Sequence, residues 1–481
     1  LKVLLLNQCF YPDVVSTAQY LTELATELSA RGHEVTVIAG DRGYDDPSVR
    51  FARRESWNNI QIIRIPTLSL GKSSRWRRAF NFGSFAIVCA LRLLLLRRFD
   101  VVVALTSPPL ISFLAALFVR LKGGSFCFWV MDLNPDEAIA AGWLAEGSVV
   151  ARCFQSMLRY SFKHATQTIV LDRFMRDRVL AKGADPQRVT IIPPWSHDDA
   201  VEFSVEGREA FRREHGLSDR FVVMYAGNHS PCHPLDTLLA AAVKLKDRDD
   251  IAFCFVGGGS EHAKVREFAL RHKLGNVTCL RYQALDQLSS LLSAADLHVV
   301  VMGDAFVGIV HPCKIYNIMA VGAPALYIGP QPSHVTDIAS YSESTKLFLT
   351  RHGDVAGVTE NILLAREQRT RLENPLSASL SHAVRPLTEP AQSHCNAPLF
   401  PGGGGDFSEG INRAVTRSCN SEVTTGLFKK QTLLPQLVNA IGGNSFENLF
   451  RPLPDSDNRF VDYHAAHPPA VSTSQATRHP N

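Results

Sequence analysis

The sequence predicts an α/β protein built from two doubly wound, Rossmann-like domains and a largely disordered C-terminal tail. Three observations carry this. Strand-like apolar runs alternate with amphipathic helical stretches through the first 200 residues, which is the pattern of a parallel sheet wrapped by helices. A second series of the same kind starts near residue 221. Between them stands Pro193-Pro194-Trp195, followed by charged sequence without strand character. At 481 residues the chain is long enough for two full cores and a further segment. The expected division is 1–200, 201–368 and a low-complexity tail at 369–481.

Within the first domain, strands are expected at 2–6, 34–39, 101–105, 125–131, 168–171 and 190–192, with a helix at 18–30 that Gly32 stops. In the second, strands are expected at 221–225, 252–256, 277–280, 297–301 and 325–328. Ligands of such sheets bind at the carboxyl ends of the strands. The loop at 7–17 therefore lines a cleft, and Ser16 or Thr17 is expected to cap the first helix. Beyond about residue 370, Ser, Pro, Gly, Asn and His rise and apolar periodicity fades. One island at 427–441 keeps a helix-like apolar face of Leu427, Leu434, Val438 and Ile441 despite Pro435.

Fifty basic against 46 acidic residues give a net charge of +4, too little to argue for nucleic acid. No apolar run reaches the ~18 residues needed to span a bilayer. The opening strand runs into a polar turn rather than a cleavage site, so no leader is expected. Ten scattered cysteines without a CxxC pair suit buried free thiols in a reducing compartment. Arginines 75, 77, 78, 92, 97 and 98 surround the apolar run at 85–96. That run suits either a core helix or one lying on an anionic membrane face.

The most informative segment runs from Gly308 to Pro324, GIVHPCKIYNIMAVGAP. Pro312 fits a first helical turn, and Ile315, Ile318 and Met319 fall at helical spacing for a buried stripe. Lys314 would stand at a helix start where an anionic group is welcome. The segment resembles the P-S-K-x-x-E-x-M-A-x-G-x-P run of the retaining GT-B glycosyltransferases called family 4. The matching residues are Pro312, Lys314, Met319, Ala320, Gly322 and Pro324. Cys313 replaces Ser, and Asn317 replaces the Glu that grips the donor ribose. GNHSPCHPLDTLL, residues 227–239, is similar to the family's G-R-x-x-x-x-K-G loop, with Asn228 in place of Arg and His233 in place of Lys.

The resemblance implies two domains facing across a cleft, the C-terminal one holding a nucleoside diphosphate sugar and the N-terminal one an acceptor hydroxyl. With both permanent cations missing, diphosphate charge would fall to Lys314 and to protonated His229 or His233. Gly257 and Gly258 would let the backbone approach the nucleotide. Tyr282 is either a base contact or a core residue. His311 joins the donor set by resemblance, Ser16 and Thr17 the phosphate or acceptor loop. Asp132, in the D-L-x-P run, would orient the acceptor or cap a turn, with Glu137 as a second acidic candidate; Met131 stands where many relatives carry His. His229, Cys232, His233, His311 and Cys313 are zinc's preferred ligand types, but their spacings match no usual site, so no metal and no cofactor are expected. The implied protein is a metal-independent sugar transferase of bacterial exopolysaccharide or colanic-acid type, working on a lipid-linked or glycan acceptor. It would be cytoplasmic and peripheral at the inner membrane face. Its rivals are a non-catalytic GT-B scaffold and another GT-B activity such as a nucleotide-sugar epimerase. The 427–441 island would be the helix that closes such folds.

Overall fold

The computed structural model describes residues 1–43, 47–68, 75–196, 201–341, 346–373 and 428–442. The first lobe follows the chain as β1 (Lys2–Leu6), α1 (Ser16–Ala30), β2 (Glu34–Gly40), β3 (Arg54–Trp57), β4 (Ile60–Ile65), α2 (Arg75–Leu95), β5 (Val101–Ala104) and α3 (Ile111–Lys122). It continues with β6 (Ser125–Trp129), α4 (Asp136–Ala140), α5 (Val149–His164), β7 (Gln167–Val170), α6 (Arg173–Ala181) and β8 (Val189–Ile191). The strands form one sheet in the order β3-β4-β2-β1-β5-β6-β7-β8, parallel except for the β3–β4 pair. Strand-like runs such as Val101–Ala104 are buried along their whole length, as expected where helices cover both faces.

The second lobe contains α7 (Val205–Glu214), β9 (Phe221–Ala226), α8 (Asp236–Lys244), β10 (Ile251–Val256), α9 (His262–Arg271), β11 (Val277–Leu280), α10 (Leu288–Ser293) and β12 (Leu297–Val301). It ends with α11 (Lys314–Ala320), β13 (Ala325–Ile328), α12 (His334–Tyr341), β14 (Leu347–Thr350) and α13 (Val355–Glu373). Its sheet is all parallel, in the order β11-β10-β9-β12-β13-β14. Order reverses between β9 and β12, the switch point where such sheets bind ligands. Asp296, just before β12, receives the guanidinium groups of Arg208, Arg212 and Arg369, and its carboxylate also accepts the Val222 amide at 2.7 Å. One buried carboxylate thereby ties α7 and α13 to the sheet.

The expected strands are all present, and three escaped the sequence reading: β3, β4 and β14. The first helix starts at Ser16 with Val15 in the cap position and no side-chain cap bond, so neither Ser16 nor Thr17 caps it. The buried residues Ala18, Leu21, Leu24, Ala25 and Leu28 hold that helix to the sheet instead.

The 427–441 island appears as a helix over Lys430–Gly442, here α14, which packs on the first lobe against α1, β5 and β7. Leu433, Leu434, Leu437, Val438 and Ile441 are its buried face. Leu427 and the rest of the expected disordered tail, 374–427 and 443–481, lie outside the described residues. The Phe428 carbonyl accepts the Ser196 amide at 3.0 Å, so the entry to α14 is pinned beside the Pro193-Pro194-Trp195 join. Trp195 is itself buried, its indole N–H donating to Glu23 at 2.6 Å while its carbonyl accepts the Tyr20 hydroxyl at 2.9 Å.

Truncating Leu437 to Ala is expected to lower stability by about 2 to 4 kcal/mol, because a fully buried side chain leaves a cavity. Asn439→Ala on the exposed side of the same helix should stay within about 0.5 kcal/mol. Denaturant titration of both variants checks the pair; equal effects would show that α14 is not part of the core.

Candidate active site

Between β12 and α11 the chain crosses from one lobe to the other and back. Arg178 of α6 donates to the Val307 carbonyl at 2.6 Å, and the Leu133 amide donates to the Ile309 carbonyl at 2.8 Å. Gly308 has a φ of 69°, and a Cβ there would stand 2.6 Å from the Phe174 backbone, so only glycine permits this approach. Helix α11 then starts at Lys314, with Cys313 in the cap position and Pro312 outside the helix rather than in its first turn. Ile315, Tyr316 and Ile318 are buried, which fixes the direction of the lysine.

The Lys314 ammonium is shut off from water and has no hydrogen-bond partner among the described residues. It lies 3.6 Å from the centroid of the Tyr225 ring, whose hydroxyl is anchored on the Asn228 carbonyl at 2.7 Å. A ring face attracts a cation but does not neutralise it. Gly227 supplies the remaining room, since a Cβ there would stand 3.1 Å from the nitrogen. Burial pushes the lysine down from 10.5 to about 7.

The histidines expected to carry positive charge do not. Burial, followed by the nearby Lys314 charge, pushes both His229 and His233 down to about 3. Their rings are also oriented by backbone: His229 Nδ1 is 3.0 Å from the Gly227 carbonyl and His233 Nδ1 is 2.7 Å from the Val301 carbonyl. A neutral imidazole that donates from Nδ1 offers only a lone pair at Nε2. These side chains therefore suit hydroxyl donors rather than phosphate oxygens. The His229 Nε2 is buried without a partner among the described residues.

Gly257 and Gly258 lie beside this loop, and packing explains both. A Cβ on Gly257 would sit 2.0 Å from the Gly227 carbonyl oxygen, and one on Gly258 would sit 2.8 Å from the Tyr282 ring. Tyr282 is 39% exposed, so it is not a core residue. Asn228 is exposed at the loop tip, and Asn317 is half-buried one turn along from Lys314. Ser16 is exposed and Thr17 half-buried at the start of α1.

From the first lobe, Asp132 follows β6 and Glu137 lies in the first turn of α4. Burial and then the Glu137 charge raise Asp132 above the usual carboxylate range; burial also raises Glu137, against hydrogen bonds from Asn134 and Cys232. Burial and the neighbouring Glu137 charge therefore both favour the protonated form of Asp132. Glu137 Oε1 receives Cys232 Sγ of the second lobe at 3.7 Å, so the pair faces the His229–His233 loop.

His311 is drawn away from the donor side. Its Nδ1 meets Asp172 of the first lobe at 2.7 Å and its Nε2 meets the Tyr316 hydroxyl at 2.7 Å, leaving neither ring nitrogen for a ligand of the cleft. The five residues of zinc-binding type noted in the sequence are not gathered into one ligand group; among the described residues the group that meets is Asp172, His311 and His334. Asp172, Tyr225 and His334 escaped the sequence reading, since no motif spacing links them.

Helix α2 is buried on one side and exposed on the other. Phe85, Cys89 and Leu93 are buried, whereas Ile87, Leu91, Leu94 and Leu95 are 57–77% exposed. Leu91 and Leu95 also wall a cavity of about 290 Å³ whose lining includes Arg53, Arg54 and Arg92. The Arg92 Nε is buried without a partner among the described residues. No helix among the described residues is long and apolar enough to cross a membrane.

Residues 17–195 match the glycosyl transferase 4-like domain, and residues 207–350 match the glycosyl transferases group 1. The chain belongs to the GT-B glycosyltransferases. It is 25% identical over 339 residues to the putative colanic acid biosynthesis glycosyl transferase WcaI of Escherichia coli, a match covering 68% of this chain and 83% of that one. The probable glycosyltransferase WbjE of Pseudomonas aeruginosa is 25% identical over 243 residues, covering 50% and 60%. HepE of Anabaena, solved with UDP and glucose, superposes with a TM-score of 0.61 at 14% identity, covering 92% of this chain and 99% of that one. Sucrose-phosphate synthase of Thermosynechococcus elongatus gives 0.61 at 15% identity, covering 91% and 98%. At such identities the two solved structures share the fold.

In this glycosyltransferase the buried lysine has a measurable cost. Its folded pKa lies below its unfolded one, so the cost is full below about pH 7 and fades as pH rises towards 10.5. Lys314→Met is therefore expected to stabilise the ligand-free protein, by on the order of 3 to 5 kcal/mol at about pH 6.5 and by less at about pH 9.5. Denaturant titration at both pH values checks this; a destabilised variant at the lower pH would mean that the ammonium is already paired.

Proposed function

We propose that this glycosyltransferase moves a sugar, with retention, from a nucleoside diphosphate sugar to an acceptor hydroxyl, and that the Lys314 ammonium receives the diphosphate. The observation that carries the reading is the isolated cation itself: a charge held out of water without a counter-ion calls for an anionic ligand. A charge-assisted contact to the leaving diphosphate stabilises the negative charge that develops as the glycosidic bond breaks. In the retaining route the same diphosphate helps take the acceptor proton, so the protein positions two substrates and needs no metal for the transfer.

The lone pairs at Nε2 of His229 and His233 accept from donor hydroxyls. Asn317 takes the ribose side and Tyr282 the base. Asp132 and Glu137 serve the acceptor side, where a protonated Asp132 donates to a hydroxyl and a carboxylate accepts from one. UDP is the first nucleotide to try, because HepE was solved with it. Likeness to WcaI supports a role in exopolysaccharide assembly, on a lipid-linked or glycan acceptor in the cytoplasm. The uncovered apolar face of α2, with arginines beside it, supports peripheral attachment to an anionic membrane face.

Lys314, rather than the histidines, sets the pH dependence. The charged form favours the diphosphate and is lost in the free protein above about pH 7, so UDP affinity should fall with rising pH, approaching about tenfold per unit. Binding should take up a proton over that range. Calorimetry in buffers of different ionisation enthalpy measures both. Lys314→Ala should lose affinity and slope together, and sugar transfer with them. A pH-independent affinity that survives this substitution would end the assignment.

Vesicle sedimentation tests the membrane face. Binding to anionic vesicles should weaken with salt, and Leu91→Ser with Leu94→Ser should release the protein without loss of fold. Equal binding of the wild type to neutral and anionic vesicles would count against it.

A further inference from the structure

Where the lobes meet, three potential ligand groups converge from three elements. Asp172 precedes α6, and its Oδ1 accepts the Met175 amide at 2.7 Å, which caps that helix. Its Oδ2 lies 2.7 Å from His311 Nδ1. His334 opens α12 and stacks on His311 with ring centroids 3.8 Å apart. A carboxylate oxygen of Asp172 and one nitrogen of each imidazole all lie within 4.8 Å of one another, and all three residues are buried. The His334 Nε2 is buried and has no hydrogen-bond partner among the described residues. An imidazole nitrogen left unpaired in a protein interior is costly unless something else binds there.

We propose that Asp172, His311 and His334 form a site for a divalent transition-metal ion, zinc being the probe, that ties the two lobes together. Two imidazoles and a carboxylate are a donor set that zinc accepts, with a water in the fourth position. The supporting contacts are those that metal ligands need. The Tyr316 hydroxyl holds His311 by the ring nitrogen opposite Asp172, and the Met175 amide holds Asp172 by the oxygen opposite His311. When the ion enters, the proton between His311 and Asp172 leaves to solvent, and the metal takes its place. Ligand atoms around tetrahedral zinc are about 3.4 Å apart, so the Asp172–His311 contact at 2.7 Å must widen to admit the ion. Asp172 belongs to the first lobe and the histidines to the second. The neighbouring Arg173–Asp337 ion pair, 2.6 Å, spans the same junction.

The test uses the full chain stripped with chelator and titrated with zinc chloride by calorimetry. One ion per chain is expected, with a rise in Tm that chelator reverses. Cobalt in its place should give visible absorption of a site with nitrogen and oxygen ligands. His334→Gln and Asp172→Asn should each weaken zinc by about 100-fold. Asparagine retains an oxygen for the Met175 cap, so circular dichroism separates lost ligation from lost fold. His262→Gln, away from the cluster, should bind as the wild type does. Natively folded protein that takes up no zinc would overturn the proposal, leaving an Asp172–His311–Tyr316 hydrogen-bond relay. Uptake unaffected by His334→Gln would also overturn it, since the ion would sit elsewhere. UDP binding on the same samples reports separately on the donor site.

Discussion

The loop from Val307 to Lys314 is gripped by both lobes, and the rest of the site depends on that grip. Its carbonyls at Val307 and Ile309 are bonded by Arg178 and Leu133 of the first lobe, Gly308 lies against the Phe174 backbone, and His311 meets Asp172. Three residues later the same strand of chain delivers Lys314 to the cleft. A shift between the lobes therefore moves the cation. Helix α14 adds a second tie, packing on the first lobe while Phe428 contacts the Tyr316 ring with centroids 5.2 Å apart.

The electrostatic design follows from that geometry. Family relatives are expected to meet the diphosphate with several permanent cations, whereas here one lysine stands among imidazoles that its own charge and their burial keep neutral. Concentrating the positive charge in one desolvated group makes its field on a nearby anion strong, because little water remains to screen it. The same desolvation lowers the lysine pKa towards neutrality. Site strength and pH sensitivity are thus two consequences of one burial.

Much of the fold was legible because buried parallel strands carry their signal locally. Runs such as VVVA at 101–104 and FVVMYA at 221–226 are apolar throughout and rich in β-branched residues. The missed strands fail that test: β3 reads RESW with alternating exposure, and β14 reads LFLT at the sheet edge with partial exposure. The capping role given to Ser16 or Thr17 failed because Val15 takes the cap position and buried leucines, not a cap, hold α1 in place.

For the site, sequence by itself determined which groups are available: Lys314 at the start of a helix, the histidines at 229 and 233, and the carboxylates at 132 and 137. Those properties depend on residue type and short-range spacing, which the chain states directly. Tertiary structure decided their ionisation and their partners. Whether His233 is charged depends on its burial and on Lys314, 81 positions further along the chain, and whether His311 faces the donor depends on Asp172, 139 positions away. Desolvation and pairing across the lobe junction are sums over neighbours that no local pattern encodes, so the chemistry of each candidate was settled only when the two sheets closed on one another.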